Sequence, residues 1–470
     1  VGNESMTANT TGGSNTAIGG WALAANTTAS NNTAVGHFAG AAVTTGGNNV
    51  FVGQDSGKVL TTGTSNVFVG YQAGDAANCS HNVMIGLESL GAAATGSSNV
   101  GVGNGSFASN TSGTFNVSVG HDSFGANTTG GNNTVVGYQA LAANTTASNN
   151  TAIGYQALND NTTGANNVAV GYTALDANTT GGSSIAMGYS ALGANTTGGN
   201  NTALGHSALA ANTTANNNTA VGHETLTANT TGASNTAVGR TAGTAITTGA
   251  SNTCIGEGAG EALTDSTHVI CLGKSAGASG TNQTSADDCI FIGNYASGSV
   301  ASSQAQIAIG YDVDCIANST VTIGKSANTA SLSLDGSDTS WAAASDIRLK
   351  ENIEESLAGL SFINELRPIT YTWKAKKDVP HDMPEYDDGS DEPCKGTGKT
   401  NHGFVAQEVK AVIDKYDSVK DGNNIWKEAD SGTQTVAPSA LIPMLVKAVQ
   451  ELSAEVEELK QKSHTKCDKE

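Results

Sequence analysis

The sequence predicts a mainly β fold: a parallel β-roll or β-helix built from 17-residue repeats, followed by a small α+β domain that ends in a coiled coil. Three observations carry that expectation. Glycines preceded by an aliphatic residue return at Gly2, Gly19, Gly36, Gly53 and Gly70, and then from Gly86 to Gly273 at an unbroken spacing of 17. Charge falls into two blocks: the last 125 residues hold 17 basic and 24 acidic side chains, the first 345 only 4 and 17. Near the end, Ile442, Leu445, Val449, Leu452, Val456 and Leu459 alternate spacings of three and four, an a/d seam flanked by Glu451, Glu455, Glu457, Glu458 and Lys460. A core helix of a globular domain is the plainer reading of that seam.

Composition narrows the function classes. With 59 Gly but only 6 Pro in 470 residues, collagen is excluded, and no apolar run approaches the length of a membrane helix. The net charge of −20 has the wrong sign for phosphate backbones or anionic lipid, so neither nucleic-acid binding nor membrane insertion is expected. Cys79, Cys254, Cys271, Cys289, Cys315, Cys394 and Cys467 show no CxxC spacing and read as packing thiols. No metal site and no cofactor are expected. The chain opens in phase with the repeat at Val1-Gly2, so the array is expected to begin upstream, in a missing N-terminal region.

One unit runs Asn150-Thr151-Ala152-Ile153-Gly154-Tyr155-Gln156-Ala157-Leu158 and closes with Asn159 to Asn166. Alternation in Thr151-Ala152-Ile153 predicts a short strand, and Asn-Thr-Thr-Gly predicts a turn. The unit is therefore expected to fold as strand, bend, short strand and turn. The aliphatic column before the glycine, as in Val136, Ile153, Val170, Met187, Leu204 and Val221, is expected to be the core, with the small column Ala140, Ala157, Ala174, Ala191 and Ala208 packing closely beside it. Twenty stacked rungs would make a shaft on the order of 100 Å long.

Stacking aligns like with like. Asn110, Asn127, Asn144, Asn161, Asn178, Asn195, Asn212 and Asn229 recur at 17 and are expected to form an amide ladder; they are also Asn-x-Thr sequons, Asn-x-Ser at Asn110. Thr145, Thr162, Thr179, Thr196, Thr213 and Thr230 form a second column, which leaves an ice-binding reading open. The column after the glycine, Tyr138, Tyr155, Tyr172, Tyr189, His206 and His223, is the candidate receptor-contact surface, since repeated aromatic rings can stack on sugars; a ladder that only shields the sheet edge is the plainer reading. One large apolar residue per unit is a thin core, so a homotrimer that pools three such columns is expected. Units such as residues 218–222 and 235–239 resemble the repeats of trimeric autotransporter adhesin heads and of phage and viral fibres.

From Ser345 the character changes. Residues 345–353, then Leu366-Arg367-Pro368-Ile369-Thr370-Tyr371, then His402-Gly403-Phe404-Val405-Ala406-Gln407-Glu408-Val409, together resemble the intramolecular chaperone auto-processing domain at the end of phage tailspikes, endosialidases and tail fibres, and of a membrane-tethered myelin transcription factor. The resemblance implies a Ser-Lys dyad, with Ser345 as nucleophile and Lys350 as general base, and a single self-cleavage at Ser345-Asp346. A lysine with a depressed pKa can activate a serine in this way. His402, Gln407 and Glu408 match the family's block and are candidates for shaping the site. Residues 378–399 are acidic and read as a solvated loop, with Ca²⁺ binding as the alternative.

The expected organisation is a shaft over 1–330, a linker over 331–344, the processing domain over 345–440 and the coiled coil over 441–463. The expected function is a trimeric virion tail fibre, extracellular when acting, that joins a tail baseplate through the missing N-terminal region and contacts a host surface receptor or glycan. Its one enzymatic act would be single-turnover serine self-cleavage. The alternatives are a cellular surface adhesin or ice-binding solenoid with the same chaperone, and a tailspike glycan hydrolase. The last needs paired carboxylates, whereas Glu88, Asp122, Asp160, Asp176 and Glu224 are scattered and only Asp312 and Asp314 lie close together.

Overall fold

The computed structural model describes residues 1–278, 283–334, 342–343, 353, 356–381, 383, 385–395, 398–420, 425–428 and 433–467. It divides into two units, Val1–Ala344 and Ser345–Glu470. The first is a parallel β-solenoid. Nineteen short strands, β1 (Thr16–Ile18) through β19 (Thr320–Lys325), stack in chain order, each pairing in parallel with the next. Register follows the repeat: Val168, Ala169 and Val170 pair with Thr151, Ala152 and Ile153. The strand β20 (Asn328–Ser333) folds back antiparallel on β19 and pairs with β21 (Ala342–Ala343). The stretch read as a linker from 331 thus begins inside a strand.

The faces are reversed from the expectation. In the strand Thr151–Ile153 the middle residue, Ala152, is fully buried and Ile153 is 38% exposed. The core column is therefore Ala152 and its equivalents, joined by Ala157 and Leu158 from the following turn, and the aliphatic column before the glycine points out. A coil this narrow admits little more than a methyl group from the strand, and a leucine reaching in from the turn fills the remainder. Where the strand residue is large, the turn residue shrinks. Phe51 is matched by Gly57 and Phe68 by Gly74, while Gly101 is matched by Phe107; a Cβ on Gly57 would sit 2.4 Å from the Phe51 ring. Rungs such as that of Ala152 thus bury three apolar side chains rather than one.

No second strand forms in the repeat. The segment after the glycine is a chain of turns with Gln156 at φ +50° and Leu158 at φ +57°, hydrogen-bonded to the neighbouring rungs. The Gln156 N–H donates to Tyr138 O at 2.9 Å, and the Leu158 N–H to Ala174 O at 2.9 Å. Gly154 is required by its environment: at φ +138°, a Cβ there would lie 2.2 Å from the Gly171 carbonyl oxygen.

The asparagine ladder forms. Asn161 Nδ2 donates to Asn144 Oδ1 at 3.2 Å and to Gly164 O at 3.0 Å, and Asn161 Oδ1 accepts from Asn178 Nδ2 at 2.7 Å. Both amide hydrogens of this fully buried residue are committed, so the sequon cannot carry a glycan within this fold. The ladder stops at Asn229, whose buried Oδ1 has no hydrogen-bond partner because Ile246 occupies the next rung. A second buried column, Asn150 and Asn167 among its members, was not foreseen; there each Oδ1 accepts the backbone N–H of the next rung's residue, at 2.9 Å from Asn167 to Asn150. The threonine hydroxyls of the turn are also committed, Thr162 Oγ1 donating to Thr179 O at 2.9 Å. Cys79, Cys254, Cys271, Cys289 and Cys315 are free and buried; burial pushes the Cys79 and Cys315 thiols up to about 11.

The second unit is a small α+β assembly. Its helices α1 (Leu360–Glu365), α2 (Ala406–Ile413) and α3 (Asp417–Lys420) surround a core of Phe362, Leu366, Val409, Ile413, Ile425 and Leu441. Two antiparallel pairs complete it, β22 (Ile369–Tyr371) with β23 (Asn401–Gly403) and β24 (Trp426–Glu428) with β25 (Gln434–Val436). The final helix α4 (Ile442–Cys467) docks through Ala448, and its Glu451 carboxylate accepts the Leu360 N–H that opens α1, at 2.6 Å. Its a/d residues face away: Ile442, Leu445, Val449, Leu452, Val456 and Leu459 are 42–65% exposed.

Candidate functional site

Two surfaces carry the residues singled out by the sequence. On the solenoid, the rings after the repeat glycine form one continuous stack, and His121 extends it by one member. From His121 through Tyr138, Tyr155, Tyr172, Tyr189 and His206 to His223, ring centroids lie 4.9–5.6 Å apart and planes are within 19° of parallel. Neighbouring rings cover each other's faces, so what the column presents outward is edges: phenol hydroxyls and imidazole nitrogens. At that spacing no sugar fits between ring faces inside the column. The same column continues as Arg240, Glu257 and Lys274, with Glu257 taking both cations; Arg240 first, then Lys274, hold its carboxyl below the usual range. His121 follows a repeat glycine as the others do, and that spacing alone would have found it.

Carboxylates scattered in sequence draw together. Asp160 and Asp176 occupy successive rungs, the Asp160 N–H donating to Asp176 O at 2.9 Å. Burial, aided by the Asp160 charge, raises the Asp176 carboxyl. Asp314 is raised in the same way, by burial first and then by Asp312.

In the terminal unit the second and third sequence blocks meet. Thr370 pairs with His402 across β22 and β23, and Arg367 forms a two-pronged ion pair with Glu408 at the start of α2, Nε to Oε2 at 2.9 Å. Arg367 holds the Glu408 carboxyl below its ordinary range. His402 and Gln407 line an open cleft of about 730 Å³ with Tyr371, Trp373, Phe404 and Val436. Glu408 lies outside that cleft, so the three candidate support residues divide between a cleft wall and an ion pair. Ser345, Asp346 and Lys350 lie outside the described residues. The acidic segment is tied down by lysines: Glu392 by Lys376, Asp391 by Lys377 and Glu385 by Lys395. Among the described residues no group of three or more His, Cys, Asp or Glu is placed to hold a metal ion.

Residues 345–417 match the family model described as chaperone of endosialidase. No curated protein and no solved structure matches the chain. A chaperone-of-endosialidase domain behind a β-solenoid shaft fits a protein of tail-fibre or endosialidase type.

Proposed function

We propose that the chain is a trimeric virion fibre, extracellular when it acts, whose shaft presents a host-binding surface and whose terminal unit folds the trimer and then cuts itself off. The observation that supports this most is a family match opening at Ser345 behind a shaft whose outward strand face carries an aliphatic or methionine side chain just before the repeat glycine in every three-residue strand. In the seventeen three-residue strands every outward position is Thr, Val, Ile, Leu or Met. A patch of that extent marks an interface. Three copies turning these faces toward a shared axis bury them, and the exposed seam of α4 gives the same three chains a coiled coil. Aligning the chains from one end fixes the register of a repeat that could otherwise pair one rung out of place.

In this reading Ser345 Oγ adds to the carbonyl of the Ser345-Asp346 linkage as Lys350 accepts its proton, Lys350 passes that proton to the departing Asp346 amine, and water hydrolyses the resulting ester, leaving a free carboxylate at Ser345 and Asp346 as the new amino terminus. Release removes the part that guided assembly, so unfolding cannot retrace folding and the shaft becomes kinetically stable. The test is intact mass of the wild-type chain beside Ser345→Ala, with native mass for the oligomer. Cleavage near Ser345 in the wild type alone, on a trimer, supports the reading. An uncleaved wild type sinks the self-processing step, and a monomeric shaft sinks the fibre.

A further inference from the structure

The residue two after the repeat glycine sits in the left-handed region, as at Gln156 (φ +50°), Ser190 (φ +49°) and Glu224 (φ +53°). Bulky side chains are disfavoured there, and most rungs supply Gln, Ser, Thr, Asp, Glu or Gly. Three rungs depart from this, Trp21 at φ +62°, Phe38 at φ +60° and Tyr295 at φ +62°, and the first two are consecutive. Buried leucines such as Leu158 recover the same strain through packing, but Trp21 is 38% exposed. Local strain that burial in the core does not repay is a mark of a functional position. Trp21 is also the sole tryptophan in residues 1–330.

The surroundings are those of a sugar site. The Trp21 and Phe38 rings stack at 5.9 Å and 26°. His37 meets the Phe38 ring at 4.1 Å, and Lys58 Nζ lies 5.1 Å from its centroid. Gly20 stands beside Trp21 where other rungs carry a ring, and a Cβ there would come within 3.3 Å of His37, so the glycine leaves the imidazole its place. Lys58 is paired with Asp55 at 3.2 Å and exposed Glu4 holds the Trp21 position of the preceding rung, so these rungs offer no excess positive charge to an anionic sugar, and exposed Gln54 adds an amide. An indole for the C–H face of a ring, with an imidazole, an amide and an ammonium for hydroxyls, suits a neutral pyranose. The three rungs from Trp21 to Gln54 span about 10 Å, room for a short oligosaccharide laid along the shaft.

We propose that Trp21, Phe38, His37, Gln54 and Lys58 form a binding site for a neutral oligosaccharide. This rests on the reading of the shaft as a host-binding surface and assigns its contact to the early rungs rather than to the tyrosine stack. The full chain is titrated with cellohexaose, maltohexaose, laminarihexaose and mannohexaose, followed by saturation-transfer NMR and tryptophan fluorescence. Trp21→Gln uses the residue found at the same position in other rungs, so the fold is kept; Tyr155→Gln is the control. The expected result is saturable binding of at least one hexasaccharide, weakened about tenfold or more by Trp21→Gln and unchanged by Tyr155→Gln. Binding unchanged in Trp21→Gln, or lost only in Tyr155→Gln, overturns the site and leaves a glycan-binding shaft standing. If the wild type binds none of the four, the site is overturned, while the Ser345 mass experiment judges the fibre reading separately.

Discussion

In the shaft a side chain's neighbour is usually the same side chain one rung away, whereas in the terminal unit unlike residues distant in sequence meet. Asn144 donates to Asn127, but Lys415 and Tyr416 both donate to Glu365. The contrast explains the division of charge along the chain. A charge repeated at rung spacing would face its own image, at a cost of roughly 1 kcal/mol even in water and more near protein. In the column of Arg240, Glu257 and Lys274 the sign alternates, whereas the Asp176 carboxyl, raised first by burial, is pushed up further by the like charge of Asp160 on the preceding rung. Self-pairing favours amides, hydroxyls and rings, which are complementary to themselves; the terminal unit has no such restriction.

The difference can be broken first at the backbone. Gly154→Val puts a side chain into the Gly171 carbonyl and should cost on the order of 3 kcal/mol or more in urea unfolding. Gly389→Ala in the terminal unit has φ +85° but nothing within 4 Å, and should cost clearly less. Equal losses would mean that close rung approach is not what distinguishes the shaft. Next comes the core. Phe107→Ala should cost about 3–5 kcal/mol, and adding Gly101→Ala should recover part of it, since the two positions share one space. Strict additivity in that double-mutant cycle would refute the size exchange. Asn161→Ala removes one step of the ladder and should cost about 1–3 kcal/mol by thermal unfolding. The smallest effect belongs to the terminal unit: Arg367→Ala should lower its melting point only slightly. Because Arg367 holds the Glu408 carboxyl low, that contribution is present above the ordinary glutamate pKa of about 4.3 and fades as pH falls below it. A difference between variant and parent that persists in more acid solution would separate the pair from the effect.

The solenoid, its period and its amide ladder were legible because a 17-residue spacing leaves few ways to stack. Which face points inward was not. Period two in Thr151-Ala152-Ile153 defines two faces without saying which is buried, and β-branched residues suit an outward sheet face as well as a core. The exchange of size between residues such as Phe51 and Gly57 was the usable signal, because only residues that share a space trade volume. The ring column was legible as a column, but not its consequence: at rung spacing, parallel rings use up their own faces. The Trp21 patch was missed because it interrupts the repeat, and the search was for what recurs. In the terminal unit, Arg367 and Glu408 were visible as motif members, but their pairing depends on a return of the chain that no local pattern encodes.

Each rung bonds only to the rungs beside it, and this reaches back to the gene. Loss or duplication of a whole seventeen-codon segment within the uniform stretch from Gly154 to Gly205 leaves neighbouring rungs matched and shortens or lengthens the shaft by about 4.8 Å per unit. Reach can therefore change by unequal recombination in small, conformationally silent steps. The size-matched pairs at Phe51 and Phe107 mark where such exchange is penalised, because a copy inserted there meets a neighbour of the wrong volume.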